Sequence, residues 1–138
     1  MRTLGLDLGQ RRVGVAVSDP DGSMAHPLLQ FEPRGRRDLV ATVARLVGEQ
    51  EAGRVVVGMP LLLDGTKGEQ ARRTEAVVAA LEETLDVPVT TWDERFSTAQ
   101  ADAAMREAGL GPRQRRSRRD KVAATLILQS YLDAGRRP

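Results

Sequence analysis

The sequence predicts an α/β domain in which a mixed central sheet is flanked by helices. Two early segments, Thr3–Leu8 and Val13–Ser18, have the alternation and β-branched content of strands, and the four residues between them suit a hairpin. After these strands, helix-like and strand-like segments alternate along the chain, which is typical of α/β units. With 138 residues and 41% hydrophobic side chains, we expect residues 1–138 to form a single domain with one core.

The first predicted strand has two distinct faces. Leu4, Leu6 and Leu8 lie on one face, and Thr3, Gly5 and Asp7 lie on the other. Asp19–Gly22 has the composition of a turn, and Leu28–Phe31 is a candidate third strand. The later segments predict, in order, a helix at Asp38–Gln50, a strand at Arg54–Val57, a helix at Glu69–Leu85, a strand at Val87–Trp92, a helix from Ser97 to about Gly109, and a last helix from Asp120 to about Ala134.

Two of these helices begin with the spacing of a capping box, Thr66 with Glu69 and Ser97 with Gln100. The loop before the first of them ends at a helix N-terminus, where backbone amides favour anions, and Lys67 would add a positive charge. An ordinary strand-to-helix connection explains the same loop. We keep Lys67 as a candidate contact for nucleic acid.

The residue types present exclude several kinds of site. The chain has no cysteine, so it holds no disulfide and no thiolate metal site. Its single histidine, His26, precedes Pro27 in a predicted loop, where we expect an exposed side chain without a catalytic role. No segment approaches the ~20 apolar residues of a membrane span, and no signal peptide is visible at the start. We therefore expect a cytoplasmic protein without membrane association.

Positive charge is concentrated towards the end of the chain. Residues 1–105 carry 12 basic and 16 acidic side chains, whereas residues 106–138 carry 9 basic and 3 acidic ones. Of the 21 basic residues, 19 are arginine, which forms bidentate hydrogen bonds with phosphate. This pattern favours a polyanionic partner such as nucleic acid. A genome rich in arginine codons explains the arginine content equally well.

Asp7 and the Asp93–Glu94–Arg95 triplet are the first candidates for chemistry. Asp7 lies in a strand between two glycines, and a carboxylate buried there needs a positive partner such as a metal ion. A strand-end aspartate bonded to a turn amide is the alternative. The triplet ends a strand, where active sites of α/β proteins collect. Alternation places Asp93 and Glu94 on opposite faces, so at most one reaches a shared site, and a surface Asp–Arg pair is the alternative.

Asp120 is the third candidate carboxylate, and six basic residues surround it. An N-cap role would explain Asp120 alone. A carboxylate beside a loop that holds phosphates is what a phosphodiesterase needs, whereas a basic loop that only aids solubility is the plainer explanation. We predict a turn-rich loop at Gly111–Arg119. The candidate contacts for nucleic acid in this region are Arg113, Arg115, Arg116, Arg118, Arg119 and Lys121.

Four separated blocks of the sequence resemble the YqgF, or RuvX, family. They are GLDLGQRRVGVAVSD (Gly5–Asp19), VVVGMPLLLDGT (Val55–Thr66), WDERFST (Trp92–Thr98) and DKVAATLILQSYLD (Asp120–Asp133). The blocks span nearly the whole chain, in order and at suitable spacing. The resemblance implies a ribonuclease-H-like fold related to the resolvase RuvC, and nuclease activity at the 5′ end of pre-16S ribosomal RNA. It places the acidic motif positions on Asp7, Glu94 and Asp120, and so favours Glu94 over Asp93.

The resulting hypothesis is a nuclease in which Asp7, Glu94 and Asp120 hold one or two Mg²⁺ or Mn²⁺ ions. Oxygen ligands suit these hard cations, and Asp7 is the candidate to bridge two of them. The alternatives are a resolvase of four-way DNA junctions in recombination and repair, and an RNA-binding factor without catalysis. An actin-like or sugar-kinase ATPase would need two large lobes, for which 138 residues are too few. We expect a monomer or a homodimer.

Overall fold

The computed structural model describes residues 1–62, 64–96, 109 and 112–135, with the backbone alone described at 96 and 112–122. It contains five strands and three helices among these residues. In chain order they are β1 (Arg2–Leu8), β2 (Val13–Ser18), β3 (Ala25–Phe31), α1 (Arg36–Gln50), β4 (Ala52–Met59), α2 (Glu69–Thr84), β5 (Val89–Asp93), a single 3-10 turn (Glu94–Phe96) and α3 (Pro112–Gly135).

The five strands form one mixed sheet in the order β3-β2-β1-β4-β5. β1 pairs antiparallel with β2, and β2 pairs antiparallel with β3. β4 lies on the other side of β1 and pairs parallel with both β1 and β5. This topology confirms the predicted mixed sheet, and it places β1, the strand that carries Asp7, at the centre.

Helices α1 and α2 cover the leucine face of the sheet. The buried residues here come from alternate positions of β1, β2 and β4, together with apolar positions of the two helices. Fully buried members of this core include Leu4, Leu6, Val15, Val43, Val55 and Leu81. The alternation of leucines in β1 therefore predicted the face correctly.

Helix α3 covers the opposite face, where Gly5 lets it approach closely. A Cβ on Gly5 would lie 2.8 Å from Cβ of Leu128 and 3.3 Å from the carbonyl oxygen of Ala124. Both distances are shorter than normal van der Waals contact. Helix α3 can therefore pack this close to β1 only because residue 5 has no side chain. A second core of small and branched residues fills the rest of this interface: Ala16, Ala25, Val56, Ala124, Ile127, Leu128 and Leu132.

The structure corrects the predicted start of the last helix. Residues 112–119, predicted to form a basic loop, are instead about the first two turns of α3. Pro112 is the first helical residue, where its fixed φ suits a helix start and no backbone hydrogen bond is lost. Asp120 therefore lies inside the helix, and the alternative role of N-cap is wrong for it.

Two further local predictions need correction. The capping box of Thr66 with Glu69 is wrong, because Gly68 is the N-cap of α2 and no side chain caps it. The hydroxyl of Thr66 instead donates to Oδ1 of Asp64, at 2.6 Å. His26 lies in the edge strand β3 instead of a loop, although its side chain is exposed as expected. The helix predicted from Ser97, with its capping box, lies outside the described residues.

Among the described residues, no helix is both long enough and apolar enough to cross a membrane.

Candidate active site

Asp7 lies near the end of the central strand, on the face of the sheet that α3 covers. Gly5, two residues earlier, packs directly against α3, and strand alternation places Asp7 on the same side. Only 9% of the residue is exposed. Among the described side chains, no lysine or arginine forms an ion pair with Asp7. Asp7 is therefore a buried carboxylate with no ion-pair partner among the described lysine and arginine side chains.

Glu94 reaches Asp7 from the 3-10 turn that follows β5. The two carboxyl groups share a hydrogen bond, which protonated Asp7 donates to Glu94. Strand β4 lies between their strands, and its Gly58 leaves the space that Glu94 crosses. A Cβ on Gly58 would lie 2.7 Å from Cγ and 2.9 Å from Oε1 of Glu94. The absence of a side chain at position 58 is therefore part of the site.

The environment of Asp7 strongly favours its protonated form. Burial is the largest cause, followed by the hydrogen bond with Glu94 and the repulsion of the Glu94 charge. Together these effects raise the pKa of Asp7 from 3.8 to about 9. A nearby cation would act in the opposite direction, because it favours two ionised carboxylates at this position.

Asp93 does not share this site but fixes the turn that carries Glu94. Its Oδ1 accepts a hydrogen bond from the backbone N–H of Arg95, at 2.9 Å. The guanidinium of Arg95 also binds the Asp93 carboxylate, with Nη2 2.6 Å from Oδ2. These contacts lower the pKa of Asp93, chiefly through the Arg95 side chain. The surface Asp–Arg pair that the sequence left open is present, and it brackets Glu94.

Arg95 also connects this turn to the loop after β4. Its Nη1 lies 3.3 Å from the position that a Cβ of Gly65 would occupy. Hydrogen bonds from Thr66 are the main cause that lowers the pKa of Asp64, and the charge of Arg95 adds a smaller effect in the same direction. Lys67, a predicted contact for nucleic acid, forms an ion pair with Glu75 at 3.1 Å. Its positive charge is thus partly neutralised within the protein.

The remaining predicted site residues lie in α3, where only their backbone is described. They are Arg113, Arg115, Arg116, Arg118, Arg119, Asp120 and Lys121. In the part of the chain whose side chains are described, no group of three acidic or histidine residues is arranged to hold a metal ion. Asp7 and Glu94 meet within that part, and Asp120 falls outside it.

Two features of the site were missed by reasoning from the sequence. The predicted strand ends at Val57, just before Gly58, and the sequence offers Asp93 only as an alternative to Glu94. A glycine at the end of a β-branched run can indicate close approach of another group, and that signal was available. The identity of the approaching group was not predictable, because Glu94 lies in the turn after β5, 36 residues further along the chain.

Sheet order, strand directions and a buried carboxylate on the central strand define the ribonuclease-H-like class of α/β folds. The model of the RuvX family, described as Holliday junction resolvase, matches residues 1–134. The chain belongs to this family.

Curated relatives match the chain over nearly its full length. A protein of Chloroflexus aggregans is 43% identical over 98% of this chain and 95% of its own length. A protein of Syntrophus aciditrophicus is 42% identical over 97% of this chain and 89% of its own. Both carry the name "Putative pre-16S rRNA nuclease". Family and relatives agree that the chain is a nuclease, a hydrolase of phosphodiester bonds, and it therefore acts on nucleic acid.

Solved structures share the fold at low sequence identity. RuvC of T. thermophilus in complex with a Holliday junction substrate superposes with a TM-score of 0.59, at 17% identity over 99% of this chain and 97% of that one. Fowlpox virus resolvase with Holliday junction DNA gives 0.58, at 13% identity over 99% and 100%. The large terminase nuclease of phage G20c gives 0.59, at 15% identity over 95% and 81%. These likenesses confirm the ribonuclease-H-like fold.

Proposed function

We propose that the chain is a divalent-metal-dependent nuclease whose catalytic carboxylates are Asp7, Glu94 and Asp120. The observation that carries this proposal is the contact between Asp7 and Glu94, which brings a buried acid of β1 together with an acid from the turn after β5. A fold has little structural reason to place a second carboxylate against a buried one, because the charge of one disfavours ionisation of the other. A catalytic site that binds a cation does have a reason to bring carboxylates together, because they serve as its ligands.

The donor set fits Mg²⁺ or Mn²⁺. Both described donors are carboxyl groups, and hard divalent cations prefer oxygen ligands. Among the described side chains, no cation offsets the burial and the Glu94 charge that raise the pKa of Asp7. A divalent cation would supply a positive charge and displace the proton of Asp7, so that this carboxylate could ionise at neutral pH.

The course of α3 supports Asp120 as the third ligand. Gln129 binds the backbone of Ala25, beside the end of β2 that pairs with the start of β1. Ala124 lies further along β1, over Gly5. Position 120 is one helical turn before Ala124 on the same helix face, and thus lies towards the end of β1 that carries Asp7. This backbone course supports the proposal that Asp120 joins the pair of carboxylates.

Each part of the proposed site then has a defined task in hydrolysis. A bound divalent cation would supply a Lewis acid that activates water and stabilises the leaving oxygen. Asp7 and Glu94 would hold the cation, and Asp93 with Arg95 keeps the turn of Glu94 in place. The basic first turns of α3 would bind the flanking phosphates through Arg113, Arg115, Arg116, Arg118, Arg119 and Lys121, with Lys67 as a further contact.

Precursor 16S ribosomal RNA is the substrate we propose, with cleavage at its 5′ end during ribosome biogenesis. The support is the name shared by relatives that are more than 40% identical over nearly the whole chain. We further propose that residues 1–138 act as one domain in the cytoplasm.

A four-way DNA junction is the second candidate substrate. The description of the family as Holliday junction resolvase favours it. Symmetric cleavage of a junction needs two active sites, so this function requires a homodimer, whereas cleavage of one RNA strand needs only a monomer. Solution mass separates these two assemblies.

The test compares cleavage of 5′-labelled precursor 16S RNA and of a labelled four-way DNA junction, each with Mg²⁺, with Mn²⁺ and with EDTA. The wild-type chain should cut the RNA only with a divalent cation, and Asp7→Asn should abolish the cut. Asp86→Asn is the matched control, because Asp86 is an exposed acid in the turn after α2. Cleavage by Asp7→Asn at the wild-type rate would contradict the proposed site. If the wild-type chain cut the four-way DNA junction but not the RNA, the junction would be the substrate of this site.

A further inference from the structure

A cavity of about 420 Å³ opens beside the end of β1, on the face of the sheet opposite to Asp7. Its floor is formed by apolar residues of the leucine-face core, among them Leu8 and Leu39. Three exposed arginines from three different elements line its rim. They are Arg11 in the β1–β2 turn, Arg36 at the start of α1, and Arg73 in α2. We call this feature the arginine cavity.

A backbone hydrogen bond closes the turn that carries Arg11, and a side-chain contact holds Arg73. The N–H of Gly9 donates to the carbonyl of Arg12 at 2.9 Å and closes the turn that presents Arg11. Arg73 donates to the side-chain oxygen of Gln70, whose Nε2 donates to the carbonyl of Leu8 at 3.0 Å. Arg73 is thus connected through one side chain to the residue that follows Asp7.

The charge of the arginine cavity is not balanced within the part of the chain that the structure describes. None of its three arginines forms an ion pair there, and Glu32 is the one carboxylate among the lining residues. Three basic side chains elsewhere in the described residues do form ion pairs: Arg45 with Glu49, Lys67 with Glu75 and Arg95 with Asp93. A concave cluster of unpaired guanidinium groups attracts anions, and its fork-like donors match phosphate oxygens.

We propose that the arginine cavity binds a backbone phosphate of the nucleic acid that is cut at Asp7 and Glu94. This proposal rests on the proposed function. The strand would pass over the end of β1, from the carboxylate face of the sheet to the leucine face. The layers on either side of such a path lie about 10 Å apart, and a nucleic-acid strand advances about 3.4 Å per nucleotide. A stacked strand covers this separation in about three nucleotides, so we expect the bound phosphate at about that distance from the scissile bond.

The test combines Arg36→Gln with Arg73→Gln and uses Arg45→Gln, further along α1, as the matched control. Binding of fluorescein-labelled single-stranded precursor RNA is measured by anisotropy in EDTA over a range of salt concentrations. The double variant should bind about tenfold or more weakly at physiological salt. The slope of log affinity against log salt should fall by about 0.7 for each lost phosphate contact. In cleavage assays KM should rise while kcat at saturation stays unchanged, and the control should match wild type throughout.

Length dependence gives a second measurement. RNA that extends only one nucleotide beyond the scissile bond, on either side, should be bound equally by wild type and the double variant. RNA that extends six nucleotides on both sides should show the full difference.

Three results would overturn the proposal, and they are distinguishable. If the double variant and wild type share affinity and salt slope while wild type cuts RNA, the arginine cavity is not on the substrate path and the nuclease function stands. If the double variant loses binding of free ATP or pyrophosphate but keeps its RNA affinity, the cavity is a site for small phosphates. If wild type cuts neither RNA nor DNA, the proposed function fails, and the role of the cavity fails with it.

Discussion

The Cγ of Glu94 lies 2.7 Å from the position that a Cβ of Gly58 would occupy. Gly58 is on β4 and Glu94 follows β5, so the relationship joins neighbouring strands of the sheet. Through this gap Glu94 reaches Asp7 on β1, which lies on the other side of β4. The candidate active site thus depends on a residue that has no side chain.

Gly58→Ala should therefore impair catalysis by displacing Glu94. A shift of about 1 Å in a catalytic group can reduce the rate about 100-fold, and we expect a loss of that order in kcat. Gly48→Ala is the control, because a Cβ at this α1 position meets nothing within 4 Å. Metal-dependent cleavage rates measure both variants. Wild-type kcat in Gly58→Ala would show that Glu94 needs no space at this position.

Gly5→Ala should reduce stability, because α3 leaves no room for a Cβ. The nearest atom is Cβ of Leu128 at 2.8 Å, which is fixed to the helix backbone and cannot rotate away. Such overpacking costs about 1–3 kcal/mol of unfolding free energy. Urea denaturation followed by circular dichroism measures the loss, and Gly48→Ala should show none. An unchanged midpoint in Gly5→Ala would mean that α3 does not pack as described.

Substitutions of Asp93 and of Glu94 should have different effects on cleavage. Glu94→Gln removes a proposed ligand and should abolish cleavage while the turn remains intact. Asp93→Ala removes the acceptor for the Arg95 backbone N–H and the partner of its guanidinium, so it should reduce kcat without abolishing it. Asp93→Asn keeps an acceptor oxygen at that position and should recover part of the rate. If Asp93→Ala abolished the binding of Mn²⁺ as Glu94→Gln does, Asp93 would itself be a ligand.

Asp7→Asn should stabilise the metal-free protein at neutral pH, by an amount that grows with pH. The pKa of Asp7 is about 9 in the folded state, above its usual 3.8, so the folded chain binds the proton more tightly. The stabilisation of the folded state by this proton is fully present below about pH 4 and is lost as pH rises towards 9. An asparagine does not titrate, so the difference between variant and wild type increases over this range, by at most about 1.4 kcal/mol per pH unit.

Unfolding in urea with EDTA, at intervals from pH 5 to pH 8, measures this difference. Asp86→Asn, which changes an exposed acid, should follow wild type at every pH. A constant difference between Asp7→Asn and wild type would contradict the raised pKa.

The central strands and the position of Asp7 were predictable because local patterns determine them. Leucine alternation in β1 fixes which face is buried, and Asp7 then lies on the other face. The start of α3 at Pro112 could also have been predicted from the sequence, since proline favours the first turn of a helix and arginine is a good helix former. The density of basic residues was interpreted as a loop instead, and that was wrong.

The arrangement of the carboxylates could not be derived from local pattern. Glu94 meets Asp7 across the width of β4, and only the sheet order reveals which strands are neighbours. The choice of Glu94 over Asp93 came from family resemblance. The structure adds the physical reason, because the carboxylate of Asp93 is engaged with Arg95. Competing local contacts also explain the failed capping box, since Thr66 binds Asp64.

Convergence of Asp7, Glu94 and Asp120 on one cation is the central claim, and crystals of the full chain soaked in Mn²⁺ test it most directly. Anomalous scattering locates the ion independently of the side chains. We expect Mn²⁺ on the α3 face of β1, with carboxylate oxygens of all three residues within about 2.2 Å. An ion bound elsewhere, or an Asp120 side chain directed away from Asp7 in crystals of an active preparation, would contradict the account.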